Sequence, residues 1–310
     1  RKSAITNGEW ILKKTQCLSS EKNVKRREKA AIVNELRQKY PLKDLLQLSG
    51  LARSTFYYYI QHPIKDKYKK EKQEILYIFL ANKGRYGYRR ILIVLRQKGY
   101  TINHKTVLKL MKELNLKGKQ RKNSKYRSYK GEIGKIADNL LNREFTATKP
   151  FEKLATDVTE FKVCNDKVYL SPVMDLYNRE IVSYSISLSP NLQQIKEMLD
   201  GLFKKLPANA KPLFHSDQGW QYQHSEYQRL LSEHNIVQSM SRKGNCMDNG
   251  AMENFFGRLK VEMFYGEKFE SVKAFIDELK RYIDYYNNER ISLKLKGMSP
   301  VQYRTHSQAS

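Results

Sequence analysis

Asp157, Asp217 and Glu253 are the residues of this chain whose types and settings could do chemistry together. Asp157 stands in Leu154-Ala155-Thr156-Asp157-Val158-Thr159-Glu160-Phe161, and Asp217 in His215-Ser216-Asp217-Gln218-Gly219. Glu253 stands in Asp248-Asn249-Gly250-Ala251-Met252-Glu253-Asn254, with 35 residues between it and Asp217. Three carboxylates on separate elements can hold two divalent cations, the arrangement that supports in-line displacement at phosphorus. Mg²⁺ suits such a set because it takes hard oxygen ligands and keeps several waters. Without a metal the three groups repel, so at least one should have a raised pKa.

Those side chains need elements to position them. Lys153–Val163, Lys167–Leu176 and Glu180–Leu188 read as three antiparallel strands, with turn signals at Asn165-Asp166 and Tyr177-Asn178-Arg179. A helix over Asn191–Lys205 follows, then a short strand at Leu213-Phe214-His215 that delivers Asp217 to its end. Ser225–His234 reads as helix, Ile236-Val237-Gln238 as strand, and Asp248–Phe264 as one long helix. This order is α/β and predicts a mixed five-stranded sheet with flanking helices. Lys260, seven positions after Glu253, and Asn249, four before it, fall on the Glu253 face of that helix. Lys260 is placed to contact the phosphate next to the scissile bond.

Charge points to the same partner. The chain has 310 residues and a net charge of +26, and residues 1–150 hold 37 Lys/Arg against 12 Asp/Glu. Residues 151–310 are balanced at 21 and 20. Half of the chain is thus built to meet phosphates. A ribosomal or other structural nucleic-acid protein would share that charge, but not the carboxylates. An anionic membrane is a poorer match, since no stretch approaches the roughly 18 apolar residues of a spanning helix. Cys17, Cys164 and Cys246 form no metal or disulfide framework, which fits a reducing cytoplasm.

The basic half is all-α in pattern. Leu42–Leu48, the turn Ser49-Gly50-Leu51-Ala52 and a helix opening with Arg53, Ser54 and Thr55 follow the helix-turn-helix order, with a plain helical hairpin as the alternative. Core and phosphate-contacting roles are expected for Tyr57–Tyr59. A second helical unit spans Glu71–Leu80, Tyr86–Gln97 and a helix capped by Asn103. Its apolar positions predict a core, leaving His104, Lys105 and Lys109 on the solvent or DNA face. Lys117–Lys130 is an arm with seven Lys/Arg, among them Arg121, Lys122, Lys125 and Arg127. The expected divisions are 1–65, a helix-turn-helix region; 66–130, a second helix-turn-helix-like domain with the arm; and 131–149, a linker. Residues 150–265 form the catalytic core and 266–310 a C-terminal helical extension.

Several motifs in one order resemble the transposases with a retroviral-integrase-like core, in particular the insertion sequence three family. They are Tyr86-Gly87-Tyr88-Arg89-Arg90-Ile91, Asp175 to Val182, the phrases around Asp217 and Glu253, and Tyr286-Asn287-Asn288-Glu289-Arg290 before Ser299-Pro300. The family often has His where Ser292 stands. The resemblance implies an RNase H-like fold, a catalytic and metal-binding triad of Asp157, Asp217 and Glu253, and two Mg²⁺ ions for which Mn²⁺ can substitute. It implies binding to the terminal inverted repeats and to target double-stranded DNA through Lys260, Asn249, Arg89, Arg90 and the basic residues above. It also implies strand cleavage, figure-of-eight and circle formation, then integration, by a homo-oligomer of at least two copies in a bacterial, nucleoid-associated setting. The start at Arg1 rather than Met fits that family's programmed frameshifting and an upstream segment. A catalytically retired DNA-binding relic and an RNase H-type nuclease are the alternatives.

Overall fold

The computed structural model describes residues 26–62, 66–120, 136–242 and 245–308. The chain divides into two compact units, residues 1–69 and 70–310.

In the first unit α1 (Arg26–Leu36) packs on α2 (Leu42–Ser49) and α3 (Arg53–Gln61). Ala30, Val33, Leu36, Leu45, Leu51 and Phe56 form its core. Gly50 ends α2 at φ 64°, a left-handed conformation that costs glycine little. Phe56 fills the core, whereas Tyr57 and Tyr58 are exposed, so of the core and phosphate-contacting roles expected for the tyrosine run these two do not take the core one. On a helix only one of three consecutive side chains can face the partner helices.

The second unit begins with α4 (Lys69–Ala81), α5 (Tyr88–Gln97) and α6 (His104–Glu113). Asn103 caps α6, its side chain accepting from Lys105 N. The sheet has segments β1 (Lys153–Thr156), β2 (Thr159–Val163), β3 (Asp166–Asp175), β4 (Ile181–Ser187), β5 (Leu213–Ser216) and β6 (Val237–Met240). β1 and β2 lie along the same β3 neighbour in one antiparallel register, Thr156 opposite Val173 and Thr159 opposite Leu170. They are two lengths of one interrupted strand, so the sheet is five strands wide. β4 flanks β3 on its other side, and β1, β5 and β6 run parallel.

Both faces of the sheet are covered. Phe161, Leu170 and Met174 pack under α10 (Gly250–Leu259) and α11 (Val272–Asn288), against Phe255, Leu259, Phe275 and Ile283. Leu154, Val173 and Phe214 pack on α7 (Leu192–Phe203) and α9 (Ser225–Glu233), against Met198, Leu202 and Leu231. α8 (Trp220–Gln223) follows the Asp217 turn, and α12 (Pro300–Gln308) closes the unit. Among the described residues no helix is long and apolar enough to cross a membrane.

The expected single helix over Asp248–Phe264 is three pieces. A 3₁₀ turn (Cys246–Asn249) leads into α10, and a π turn (Lys260–Phe264) ends it. Glu262 in that π turn is buried and gathers the surrounding cations. Arg290 reaches it bidentately at 2.6 and 2.8 Å, Tyr282 Oη donates to it at 2.9 Å and Arg90 lies 3.5 Å away. Its carbonyl also accepts from Arg85 Nε and Lys119 Nζ. The helical unit is thereby fastened to the end of α10. Tyr86 Oη, accepting from Ile291 N at 3.1 Å, adds a second tie.

Candidate active site

Asp157 occupies the interruption between β1 and β2. Continuing the register puts it level with Pro172, a residue with no N–H to give to a ladder. The backbone is released there, and Asp157 Oδ1 accepts from Val158 N at 2.7 Å. Asp217 directly follows β5. Ala155 pairs with His215 across the parallel ladder, and the same offset sets Asp157 level with Asp217. Both therefore stand at the carboxyl ends of adjacent parallel strands, where α/β sheets place their ligands. Asp217 Oδ1 accepts from Gly219 N at 2.9 Å, and Gln218 Nε2 donates to Ser241 O, pinning the turn to the end of β6.

Glu253 lies in the first turn of α10. Two buried contacts hold that turn. Asn249 Nδ2 donates to Thr156 O at 3.0 Å, tying the helix start to the residue before Asp157. Asp248, fully buried, accepts from Arg242 Nε and Nη2 at 2.9 Å, Arg143 Nε at 2.7 Å and Asn139 Nδ2 at 3.0 Å. The Arg242 guanidinium, helped by Arg143, holds the Asp248 carboxyl well below the usual range against the opposing effect of burial.

Electrostatics show that the three carboxylates share one region. Burial pushes the Asp157 pKa well up; the Asp217 charge and then the Glu253 charge raise it further, while Lys260 opposes them. Burial likewise raises Asp217. Lys260 is lowered by burial, with Asp157 and Glu160 pulling the other way. Its ammonium sits 5.3 Å over the Phe161 ring. Behind the pair, the Tyr222 and Tyr227 phenols are buried and raised, by burial first and by the aspartate charges second. Tyr222 Oη is 3.5 Å from Thr156 Oγ1.

Among the described residues no three His, Cys, Asp or Glu side chains stand close enough to enclose an ion by themselves. An open Mg²⁺ site does not need such a cage, because water and substrate phosphate complete the shell. A hard-oxygen set in which Asp217 and Glu253 raise the Asp157 pKa fits divalent cations, whose charge relieves the repulsion.

The other sequence candidates are scattered. Arg53 and Ser54 are exposed at the start of α3, with Thr55 half-buried beside them. Arg89, His104, Lys105 and Lys109 are exposed in the second helical unit. Two candidates depart from the expected DNA-facing side. Asn249 is buried, its amide committed to Thr156 O, and Arg90 packs on the Tyr86 ring beside Glu262. Arg121, Lys122, Lys125 and Arg127 lie outside the described residues. Sequence reasoning missed Asp248 and Glu262 as organisers, although each sits in the helix-bearing segment it singled out.

Residues 147–246 and 253–307 each match a family described as integrase core domain, and residues 65–124 match an HTH-like domain. The putative transposase InsK for insertion sequence element IS150 of Escherichia coli is 52% identical over 277 residues, covering 89% of this chain and 98% of that protein. The transposase InsF for insertion sequence IS3A of E. coli is 30% identical over 289 residues, covering 91% and 100%. A simian T-cell lymphotropic virus intasome in complex with PP2A regulatory subunit B56 gamma aligns with 73% of each chain at a TM-score of 0.43 and 15% identity.

Proposed function

The chain belongs to the insertion sequence three family of transposases built on an integrase core, and on that premise we propose that it binds the inverted-repeat ends of its element and cleaves and joins DNA strands. The observation that carries this reading is the level placement of Asp157 and Asp217 at adjacent strand ends, with the Glu253 helix tied to Thr156. Asp157, Asp217 and Glu253 would hold two Mg²⁺ ions, which supply charge stabilisation at the scissile phosphate.

The protein's own groups do the positioning. Lys260 binds the phosphate beside the scissile bond, in the field of Asp157 and Glu160. Asn249 fixes the Glu253 helix against the strand end, and the buried Tyr222 and Tyr227 keep water from the rear of the aspartate pair. Water attacks phosphorus at the element end, the P–O3′ bond breaks, and a free 3′-OH remains. That hydroxyl then attacks a second phosphodiester, whose own P–O3′ bond breaks, so that each bond formed replaces one lost. Attack on the other end of the same strand gives the figure-of-eight and circle, and attack on target DNA gives integration.

Arg53, Ser54 and Thr55 at the start of α3 would read the ends. Arg89, His104, Lys105, Lys109 and the arm residues Arg121, Lys122, Lys125 and Arg127 would hold phosphates. Two ends must meet, so at least two copies assemble. The test is a strand-transfer assay on a short element bearing both ends, with Mg²⁺ or EDTA, for wild type and Glu253→Gln. Joined products only with Mg²⁺ and wild type support the reading; binding without joining by the wild type refutes it.

A further inference from the structure

α10 has two polar faces. At 100° per residue Asn249, Glu253 and Lys260 cluster on one side, and Gly250, Asn254 and Arg258 cluster roughly 120° away. The second side opens on a cleft of about 610 Å³ between α10, the start of α11's outgoing loop and the 143–146 segment. Arg143, Arg179, Arg258, Arg290 and Lys294 line it, against one carboxylate, Glu144, which pairs with Lys153 at 3.3 Å. Arg143 is neutralised by Asp248 and Arg290 by Glu262. Among the described residues no carboxylate lies within ion-pair distance of Arg179, Arg258 or Lys294.

Arg179 is held in place by Nη2 donating to Phe145 O at 2.8 Å. Burial lowers its pKa, Tyr286 and Asp175 oppose that effect, and the nearby Arg258 charge lowers it further, so Arg179 and Arg258 present like charges to one cleft. Such an arrangement is stabilised when an anion enters.

We propose that this cleft is a second phosphodiester-binding groove, in which Arg179, Arg258 and Lys294 hold the backbone of a DNA segment other than the one at the carboxylates. The proposal rests on the strand-transfer reading, since joining requires two segments held at once. Three cations spread through a cleft of this size suit consecutive backbone phosphates better than one free phosphate ion.

The test uses the full chain carrying Arg258→Gln and Lys294→Gln, both at exposed positions, beside a control carrying Lys211→Gln and Lys273→Gln, also exposed. Affinity for a short duplex is measured across a salt series, and joining of a pre-cut end to a second duplex is measured in Mg²⁺. The groove pair should lose roughly 1–2 from the log–log salt slope and roughly tenfold in joining relative to the control pair. Slope and joining equal to the control would overturn the groove. If wild type fails to join, the transposase reading falls while the slope still decides the groove.

Discussion

Asn249 Nδ2 lies 3.0 Å from the carbonyl oxygen of Thr156, a bond between residues 93 positions apart. It joins the residue preceding Asp157 to the turn preceding Glu253, and so sets the spacing of two elements that bear the proposed triad. Both groups are buried, so no water replaces the bond when it is lost.

Asn249→Ala should therefore lower unfolding stability by about 1–3 kcal/mol. Joining should fall by roughly 10²-fold, because small displacements of reacting groups are costly. Urea midpoints and single-turnover joining check both. Wild-type joining in a destabilised variant would mean that the tie holds the fold alone.

Asp217→Asn removes a charge that raises the Asp157 pKa, and Asp157→Asn removes a carboxyl that burial itself pushes well up. In EDTA their melting temperatures should equal or exceed that of wild type, and Mg²⁺ should no longer raise them. Cleavage should vanish while end binding stays within roughly a few-fold, since phosphate contacts elsewhere supply affinity. Lost end binding in Asp217→Asn would make that residue structural.

Asp175 is pushed up to about 6 by burial, although Phe151 N and Tyr177 N both donate to it. Its folded value lies above its unfolded one, so the folded state favours the protonated form. That contribution is fully present below about pH 4 and is lost as pH rises through about 6. Asp175→Asn gives up one of the two backbone bonds, so the slope is the readout. Wild type should lose on the order of 1–3 kcal/mol relative to the variant across this window. Parallel pH profiles for the two proteins would contradict the assignment.

Glu262→Gln keeps the side-chain shape but leaves Arg290, 2% exposed, without its carboxylate. Breaking a buried pair from one side should cost about 3–5 kcal/mol. Glu262→Gln with Arg290→Met should recover much of that loss, as judged by denaturant midpoints. A single variant as stable as wild type would remove Glu262 from its organising place.

The three carboxylates could be proposed from sequence because their chemistry demands particular residue types in particular settings. The order of strands and helices along the chain was legible too, since strand and helix periods alternate cleanly from residue 153 onward. The interruption at Asp157 was not, because its cause, Pro172, acts through cross-strand register. The 3₁₀ and π turns flanking α10 were hidden for a like reason: the ties at Asn249 and Glu262 reach partners far away in sequence. Arg90 and Asn249 looked like surface residues because a helical pattern shows which face is polar, not whether a distant segment will cover it.

Glu253 and Glu262 lie nine positions apart on one helical run, one turned to the aspartates and the other gripping the helical unit through Arg90, Arg85 and Lys119. One added residue between them would turn one end by ~100° and shift it by ~1.5 Å relative to the other. This stretch should therefore accept changes of residue but not of length, whereas the exposed 266–268 bend should accept both. A scan of single-residue insertions, scored for joining, would show a gap in tolerance bounded by those two glutamates.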